Sequence, residues 1–422
     1  MGLLSLRYGG SEFQLEVDEH RHQVLGLEQP PRSLSDAEIG DLLDDPIDSP
    51  RLEELFSAGQ TVLIVVPDAT RQSGCGQIVN LLIRRLIANG TAPHEMSIIF
   101  ATGIHRKVTE YEKEEILTSF ITQRIKTLDH DPRDLAQLVK LGETSTGVPI
   151  ELNRALLDHD RVITVGSASF HYFAGFTGGR KLICPGLGST RTISGTHKLA
   201  FDCDRRERRA GVDTGILDGN AVHEAFMECV RTAPPSFSVT SIVGEDGSIV
   251  DVYCGNWITS HKAACRSYAA GHTITIDGPR AIVVASCGGY PHDVNLIQAH
   301  KTLDAASRAC EPGGTIILLA DCEDGLGRRD FLDWFACQNS SDLAEKLCLK
   351  YQVNGQTAWN LLRIAENYDV RIVTSLDAET TAKMRIEKME PNELADVLKQ
   401  NAPGYVLPRG AKFNIVQGPI SN

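Results

Sequence analysis

The sequence lacks the long apolar runs and the basic runs that would place it in several large classes of protein. No apolar run approaches the ~18 residues that a membrane-spanning helix needs, and the first residues contain no apolar signal-peptide core. No uninterrupted basic run offsets the net charge of −13, which argues against nucleic acid and anionic membranes as partners. We therefore expect a cytoplasmic protein that binds neither a membrane nor a nucleic acid.

The cysteines also lack any pattern. There are 11 of them, an odd number, and none forms a C-x-x-C pair. The sequence therefore predicts neither a structural zinc site nor a disulfide framework, and it fits a reducing compartment.

Short, continuous apolar runs alternate with helical patterns along the chain. Such runs are typical of strands that are buried on both faces of a parallel sheet. The runs are 61–66, 96–100, 161–165, 281–285, 315–319 and 370–374. Helical patterns include one through Ile78 and Leu86, one that opens with the capping box Thr109–Glu112, and one through Leu296 and Leu303. The sequence therefore predicts an α/β fold with mostly parallel sheets flanked by helices.

Three of the predicted strands precede residue 170 and three follow residue 280, whereas residues 200–275 show only weak patterns. We therefore expect two α/β domains, 1–275 and 276–422, with the active site in the cleft between them. The last segment of the chain is a candidate to pack back on the first domain.

Polar side chains follow several of the predicted strands, where ligands bind in open α/β sheets. Asp68, Ala69, Thr70 and Arg71 follow the first strand, and His105 follows the second. An aspartate can bind hydroxyl groups, an arginine can hold a carboxylate, and a histidine can transfer protons near neutral pH.

The segment 171–186 carries the densest chemistry of the sequence. It contains His171 and a glycine-flanked Lys181, and His197 follows it. A lysine in such a loop can act as a nucleophile, and the histidines can act as acid, base or metal ligand. Further along, Gln298 and Lys301 are three residues apart on a predicted helix and so share one face.

Taken together, these loops resemble the lactate racemase family, whose members use a nickel-pincer nucleotide to racemise or epimerise 2-hydroxy acids. The resemblance spans roughly residues 60–300. It rests on Asp68-x-Thr70-Arg71, Thr102-Gly-x-His105-Arg106, His171-x6-Gly178-Gly-Arg-Lys181-x3-Pro-Gly186, His197 and Gly289-Tyr-Pro-x-Asp293-x-Asn-Leu-x-Gln298-x2-Lys301.

The resemblance implies a role for each of these positions. His105 and His171 match the acid–base pair, and Lys181 matches the lysine covalently attached to the cofactor, a pyridinium mononucleotide that holds nickel through two sulfur-containing arms. His197 would complete the nickel coordination. Residues 68–71 match the part that contacts the cofactor, which makes 1–275 the cofactor-binding domain, and Arg71, Gln298 and Lys301 would hold the substrate.

The expected activity is reversible inversion of the C2 carbon of a 2-hydroxy acid through a 2-keto acid, in an isomerase loaded with cofactor by maturation proteins. Ile297 stands where lactate-type enzymes tend to have an aromatic residue, so lactate, malate, 2-hydroxyglutarate, longer hydroxy acids and sugar acids all remain open. Two alternatives are a mononuclear zinc hydrolase that uses His105, His171 and His197, and a non-catalytic carrier of the cofactor.

Overall fold

The chain folds into two compact units. The computed structural model describes residues 2–26, 31–71, 73–244, 246–398 and 402–418 of the 422 residues. Unit A comprises Gln29–Ala200 and Ala210–Ala270, and unit B comprises Met1–Glu28, Phe201–Arg209 and Gly271–Asn422. Among the described residues, no helix is both long enough and apolar enough to cross a membrane.

The regular elements follow one another along the chain as strands and mostly short helices. The strands are β1 (Gly2–Tyr8), β2 (Ser11–Val17), β3 (His22–Val24), β4 (Val62–Pro67), β5 (Met96–Ala101), β6 (Lys126–Asp129), β7 (Leu138–Glu143), β8 (Pro149–Asn153), β9 (Arg161–Ser167), β10 (Phe170–His171), β11 (Gly175–Phe176), β12 (Phe201–Asp202), β13 (Glu207–Arg208), β14 (Phe237–Val243), β15 (Ile249–Gly255), β16 (Thr273–Ile276), β17 (Arg280–Ser286), β18 (Cys310–Leu319), β19 (Asp369–Val373), β20 (Glu387–Lys388), β21 (Gly404–Leu407) and β22 (Asn414–Gln417). The α-helices are α1 (Asp36–Leu43), α2 (Leu52–Leu55), α3 (Cys75–Ala88), α4 (Glu110–Leu117), α5 (Ser119–Thr122), α6 (Ala155–Asp158), α7 (Thr190–Lys198), α8 (Ala221–Arg231), α9 (Thr259–His272), α10 (Leu296–Ser307), α11 (Ser340–Leu349), α12 (Val353–Asn367), α13 (Ala378–Lys383) and α14 (Leu394–Leu398). Short 3-10 helices include Gly179–Leu182 and Gly410–Lys412.

Unit A is built around a six-stranded sheet in the order β15-β14-β9-β4-β5-β6. Neighbouring strands run parallel except β14 and β15, which are antiparallel. In β4, Val62, Ile64 and Val66 pack into a cluster with α1 and α3, whereas Leu63 and Val65 pack on the opposite face with α6 and α8. Because helices cover both faces, every position of this strand is apolar.

Unit B contains a second six-stranded sheet, in the order β20-β19-β18-β17-β21-β3, with all strands parallel. Helices α10, α11 and α12 contribute to the core on one face. The β1–β2 hairpin and α14 cover the other face, where Leu6, Leu15 and Leu394 pack with Val284. The hairpin therefore shields this apolar face of the sheet from water, as a crossover helix does in a doubly wound fold.

The predicted α/β class with mostly parallel sheets is confirmed. Each of the six predicted strands overlaps a strand of the two large sheets, and the Thr109–Glu112 capping box does begin a helix, α4. The weakly patterned region holds two strands of the unit A sheet that were not predicted from the sequence, β14 and β15. Serine and threonine residues interrupt the apolar side chains of β14, and several positions of β15 are partly exposed.

The division between the units differs from the predicted one at 275/276. Unit B begins again at Gly271, but it also includes the first 28 residues because β3 pairs in parallel with β21. The segment Phe201–Arg209 also belongs to unit B, where Arg208 Nη2 lies 2.7 Å from Asp304 Oδ1. At the end of the described chain, β22 pairs in parallel with β16 inside unit B.

One pair of cysteines forms a disulfide bond that the spacing of the cysteines did not predict. Cys203, in the unit B segment Phe201–Arg209, is bonded to Cys348 near the end of α11, with 5.7 Å between their Cα atoms. The two residues are 145 positions apart, so no local spacing signals the pair. The nine other cysteines are free, and eight of them are buried.

We expect reduction of this disulfide to lower the free energy of unfolding of unit B by roughly 2–4 kcal/mol, because an open chain gains entropy when it unfolds. Urea unfolding with and without a dithiol reductant measures the change, and Cys203→Ala should reproduce it without reductant. Cys337→Ala, which removes a half-buried free thiol, is the matched control. Equal unfolding midpoints with and without reductant, together with more than nine free thiols in the unreduced protein, would contradict the assignment.

Candidate functional site

The loops after β4 and β5 bring Asp68 and His105 together. The two strands are parallel neighbours, so both loops leave the same edge of the unit A sheet. Asp68 Oδ2 accepts a hydrogen bond from His105 Nδ1 at 2.6 Å, and its Oδ1 accepts from the backbone N and the hydroxyl of Thr70. Because Nδ1 carries the proton in this bond, Nε2 of a neutral His105 has a free lone pair.

Asp68 stays a carboxylate at neutral pH. It is 5% exposed, and burial alone would raise its pKa. The hydrogen bond and charge of His105, the bond from Thr70 and the charge of Arg71 outweigh burial, so the pKa of Asp68 lies below its ordinary value. Ala69 and Thr70 form an exposed turn, and Arg71 is half-buried, with its backbone N donating to Asp68 O.

His171 is held in the opposite tautomer. It ends β10, and the tight β10–β11 hairpin turns the chain so that the backbone N–H groups of Ala174 and Phe173 donate to His171 Nδ1 at 3.2 and 3.5 Å. Because Nδ1 accepts these bonds, the proton of a neutral His171 resides on Nε2. His105 thus presents an Nε2 that can accept a proton, and His171 presents an Nε2–H that can donate one.

The carbonyl oxygens of this turn are bound by a fully buried arginine. Arg180 Nη2 donates to Ala174 O at 2.6 Å and Nη1 donates to Phe176 O at 3.0 Å. Burial lowers the pKa of Arg180 to about 10, which still leaves the guanidinium charged at neutral pH. Arg180 precedes Lys181 in the chain, so the same short helix that fixes the His171 turn also positions the lysine.

Two phenylalanines lie close to both Lys181 and His197. Lys181 Nζ is 5.9 Å from the ring centroids of both Phe173 and Phe226. The His197 ring centroid is 5.3 Å from that of Phe173 and 5.6 Å from that of Phe226. Phe173 also contacts His171, with 4.5 Å between centroids. Neither phenylalanine was predicted from the sequence as a site residue, although Phe173 lies within the segment 171–186.

His197 is a neutral imidazole suited to bind a metal. It lies in the last turn of α7, which Ser189 caps, and its Nδ1 donates to Ile193 O at 2.7 Å. Burial and then the charge of Lys181 lower the pKa of His197 to about 3. Nε2 therefore offers a lone pair at neutral pH, and a second ring nitrogen bonded to a carbonyl is the usual arrangement in metal-binding histidines.

A metal site made only of protein side chains has no support in the described ranges. Within them, no three or more histidine, cysteine, aspartate or glutamate side chains are grouped so that they could hold a metal ion. This speaks against the zinc hydrolase that His105, His171 and His197 suggested as an alternative. A metal bound by His197 would need donors from a bound group.

The remaining predicted residues, Gln298 and Lys301, lie in unit B. As predicted, they share one face of α10, and Lys301 Nζ donates to Gln298 Oε1 at 2.6 Å. The neighbouring Ile297 is partly buried and packs against the unit B core. Of the predicted site residues, the structure therefore places Asp68, Arg71, His105, His171, Lys181 and His197 in unit A, and this pair in unit B.

Comparison with known proteins points to one family. A family profile described as the lactate racemase N-terminal domain matches residues 8–209, and another described as the lactate racemase C-terminal domain matches residues 277–410. The lactate racemase of Thermoanaerobacterium thermosaccharolyticum is 26% identical over 431 aligned residues, which cover 100% of this chain and 99% of that protein. The lactate racemase of Lactiplantibacillus plantarum is 33% identical over 293 residues, 68% of this chain and 66% of that protein.

Solved structures agree. The lactate racemase apoprotein from Thermoanaerobacterium thermosaccharolyticum superposes with a TM-score of 0.88 at 26% identity, covering 98% of this chain and 100% of that one. A Thermotoga maritima protein matches with a TM-score of 0.72 at 18% identity, covering 93% of this chain and 100% of that one, which bears on the fold alone. Because the two profiles cover most of the chain and the likeness to the apoprotein extends over nearly all of it, this protein belongs to the lactate racemase family and is an enzyme of the racemase class.

Proposed function

We propose that this protein inverts the C2 carbon of a small 2-hydroxy acid, such as lactate or malate, with His105 and His171 as the proton-transfer residues. The observation that carries the proposal is the pair of opposite tautomers, one Nε2 able to accept a proton and the other able to donate one. A reversible racemase needs a proton acceptor for one enantiomer and a proton donor for the other. A carrier of the cofactor would not need either histidine to be oriented.

The residues of unit A fit a nickel-pincer nucleotide attached to Lys181. His197 would supply a single neutral imidazole to the nickel, and the group itself would bring the sulfur donors that the protein does not provide. Residues 68–71, with the charge of Arg71, are the candidates to contact the nucleotide. When bound, this cofactor supplies the hydride acceptor that no amino-acid side chain provides. Maturation proteins would have to make and load it.

The side chains perform the remaining steps. His105 Nε2 takes the proton from the substrate hydroxyl, and the resulting imidazolium is stabilised by Asp68. His171 Nε2–H donates to the oxygen of the 2-keto acid when the opposite enantiomer forms. Phe173 and Phe226 limit the water around Lys181, which protects the keto acid from side reactions. Lys301, oriented by Gln298, is the candidate to bind the C1 carboxylate.

The proposal is tested with protein co-expressed with the cofactor-maturation machinery and a panel of single-enantiomer 2-hydroxy acids. We expect optical rotation to decay to zero for at least one acid. In D2O, the C2 hydrogen should stay with the substrate because hydride does not exchange with solvent. If cofactor-loaded protein leaves the rotation of every acid unchanged, the proposed activity is wrong. Incorporation of deuterium at C2 would show that the enzyme abstracts a proton from C2 instead of transferring a hydride.

We expect Asp68→Asn to lower kcat by about 10²–10⁴-fold with little change in KM, because an amide can donate to Nδ1 and reverse the tautomer of His105. The wild-type carboxylate is already ionised above its lowered pKa, so this loss should persist from pH 6 to pH 9. Asp160→Asn, at the opposite end of β4, removes a carboxylate that binds Thr61 and should leave kcat unchanged. A wild-type kcat in Asp68→Asn would show that Asp68 does not position His105 for catalysis.

A further inference from the structure

The carbonyl groups of the β10–β11 turn are bound by side chains from outside the turn. The carbonyl oxygen of Phe173 accepts a hydrogen bond from Asn220 Nδ2 at 3.0 Å. The carbonyl oxygens of Ala174 and Phe176 both accept from Arg180. A hydrogen bond from a charged donor is roughly twice as strong as one between neutral groups. The guanidinium of Arg180 therefore contributes more than the amide does to holding this turn in place.

Arg180 carries a buried charge that no carboxylate balances. It is 1% exposed, and in the described part of the chain no carboxylate is bonded to it. Burial and then the charge of Arg180 lower the pKa of His261 to about 3 and the pKa of His223 to about 2, so both rings are neutral. Burial also keeps the thiols of Cys265 and Cys184 protonated by raising their pKa values. A buried charge without a counterion is costly, which indicates that the guanidinium has a function that an apolar side chain could not fulfil.

Helix α9 holds the short helix of Arg180 against the turn. A Cβ atom on Gly179, whose φ is +51°, would lie 2.5 Å from the ring of His261, so the two segments are in direct contact. His261 Nε2 donates to Thr177 O at 2.9 Å, so it cannot also accept a bond from Arg180 Nη1, which lies 3.4 Å away. The carbonyl oxygens of the turn are therefore the acceptors of the guanidinium.

We propose that Arg180 is a positioning residue for His171, which holds the ring in the Nε2–H tautomer that the proton donor of the proposed reaction requires. The link is Ala174, whose O accepts from Arg180 at 2.6 Å and whose N donates to His171 Nδ1 at 3.2 Å. Without the guanidinium, the turn loses its charge-assisted hydrogen bonds, and the N–H groups that face Nδ1 can move away. A ring released in this way exchanges between its two neutral tautomers, and only one of them donates from Nε2. The inference rests on the function proposed above, in which His171 donates to the oxygen of the keto acid.

The test combines the tautomer of His171 with the kinetics of Arg180→Met. In nitrogen NMR spectra of the full chain with isotope-labelled histidine, the wild type should show His171 as the Nε2–H tautomer alone, and Arg180→Met should show both tautomers. The spectrum of His171→Asn identifies the signals. In cofactor-loaded Arg180→Met, kcat should fall by about 10–100-fold with little change in KM, the usual effect of misplacing a reacting group. Intact mass and nickel content should match the wild type.

Arg180→Lys should recover part of the kcat and part of the single tautomer, because an ammonium group restores the charge but not the planar fork that reaches two carbonyl oxygens. Arg161→Met is the matched control. Arg161 also donates to a backbone carbonyl oxygen, that of Leu55, but it lies at the opposite end of β9 from the His171 turn. This variant should keep the wild-type kcat and the wild-type tautomer.

A wild-type kcat in Arg180→Met, or a single Nε2–H tautomer in that variant, overturns the inference. Loss of the covalent adduct also overturns it, because the effect of Arg180 would then be on Lys181. If Arg180→Met does not fold, Arg180→Lys decides, since wild-type values of both readouts would show that the fork is not needed. The histidine spectrum does not depend on activity. A loaded wild type that is inert on every acid therefore overturns the proposed function, while the spectrum still decides whether Arg180 orients His171.

Discussion

His105→Asn and His171→Asn should each lower kcat by about 10²–10⁴-fold, the usual contribution of a positioned acid or base. Asparagine suits both sites because it keeps the local hydrogen bonds. Its amide N can donate to Asp68 as His105 Nδ1 does, and its carbonyl O can accept from Ala174 N as His171 Nδ1 does. Each variant therefore removes the reactive Nε2 with little disturbance of the loop that holds it.

The measurement is the initial rate of racemisation from each enantiomer, together with the intact mass and nickel content of each variant. We expect mass and nickel to match the wild type, so that the loss is assigned to proton transfer. His159→Asn is the control, because the ring of His159 forms its hydrogen bond with Ala155 O and not with any of the proposed catalytic residues. A variant of either histidine that keeps more than about a tenth of the wild-type kcat would remove that residue from the acid–base pair.

Lys181→Ala should carry no covalent adduct and should show no measurable racemisation. The adduct is the tether of the proposed cofactor, so its loss removes the hydride acceptor rather than weakening a contact. Intact-mass spectrometry of protein co-expressed with the maturation machinery measures this directly. The chain offers a close control in Lys198, an exposed lysine at the end of α7, and Lys198→Ala should keep the full adduct mass.

His197→Ala separates tethering from metal binding. It should keep the adduct on Lys181 and retain less nickel, because the neutral imidazole at 197 is the protein's donor to the metal in this proposal. A wild-type mass equal to that of the bare chain after co-expression would refute the covalent attachment. Unchanged nickel in His197→Ala would remove His197 from the coordination sphere.

Much of the fold follows from local patterns. Strands that are buried on both faces have continuous apolar sequences. The residues that follow such strands lie at the edge of the sheet where ligands bind. Both rules identified β4 and β5 and the loops that carry Asp68 and His105. The strands β14 and β15 were not predicted, because the serine and threonine residues of β14 and the half-exposed positions of β15 interrupt any continuous apolar run.

The finer features depend on contacts that no local pattern contains. The partner of Asp68 becomes visible only when β4 and β5 are known to be neighbours, because His105 is 37 positions away. The tautomer of His171 depends on a turn whose carbonyls are bound by Arg180, a residue that the sequence presents only as part of a basic pair with Lys181. The Cys203–Cys348 bond joins two distant segments of one unit, and cysteine spacing says nothing about it.

The pairing of β3 with β21 has a consequence for how the chain is made. His22 lies opposite Gly404, so β3 finds its neighbour in the sheet only after all of the chain between the two strands has been synthesised. The unit A sheet needs nothing beyond β15 and can assemble earlier. Until the strands of the unit B sheet have been made, the β1–β2 hairpin that packs on that sheet leaves its apolar side chains exposed, which is a state that favours aggregation or chaperone binding. We therefore expect unit A to assemble before unit B during synthesis, with β3 pairing late with β21.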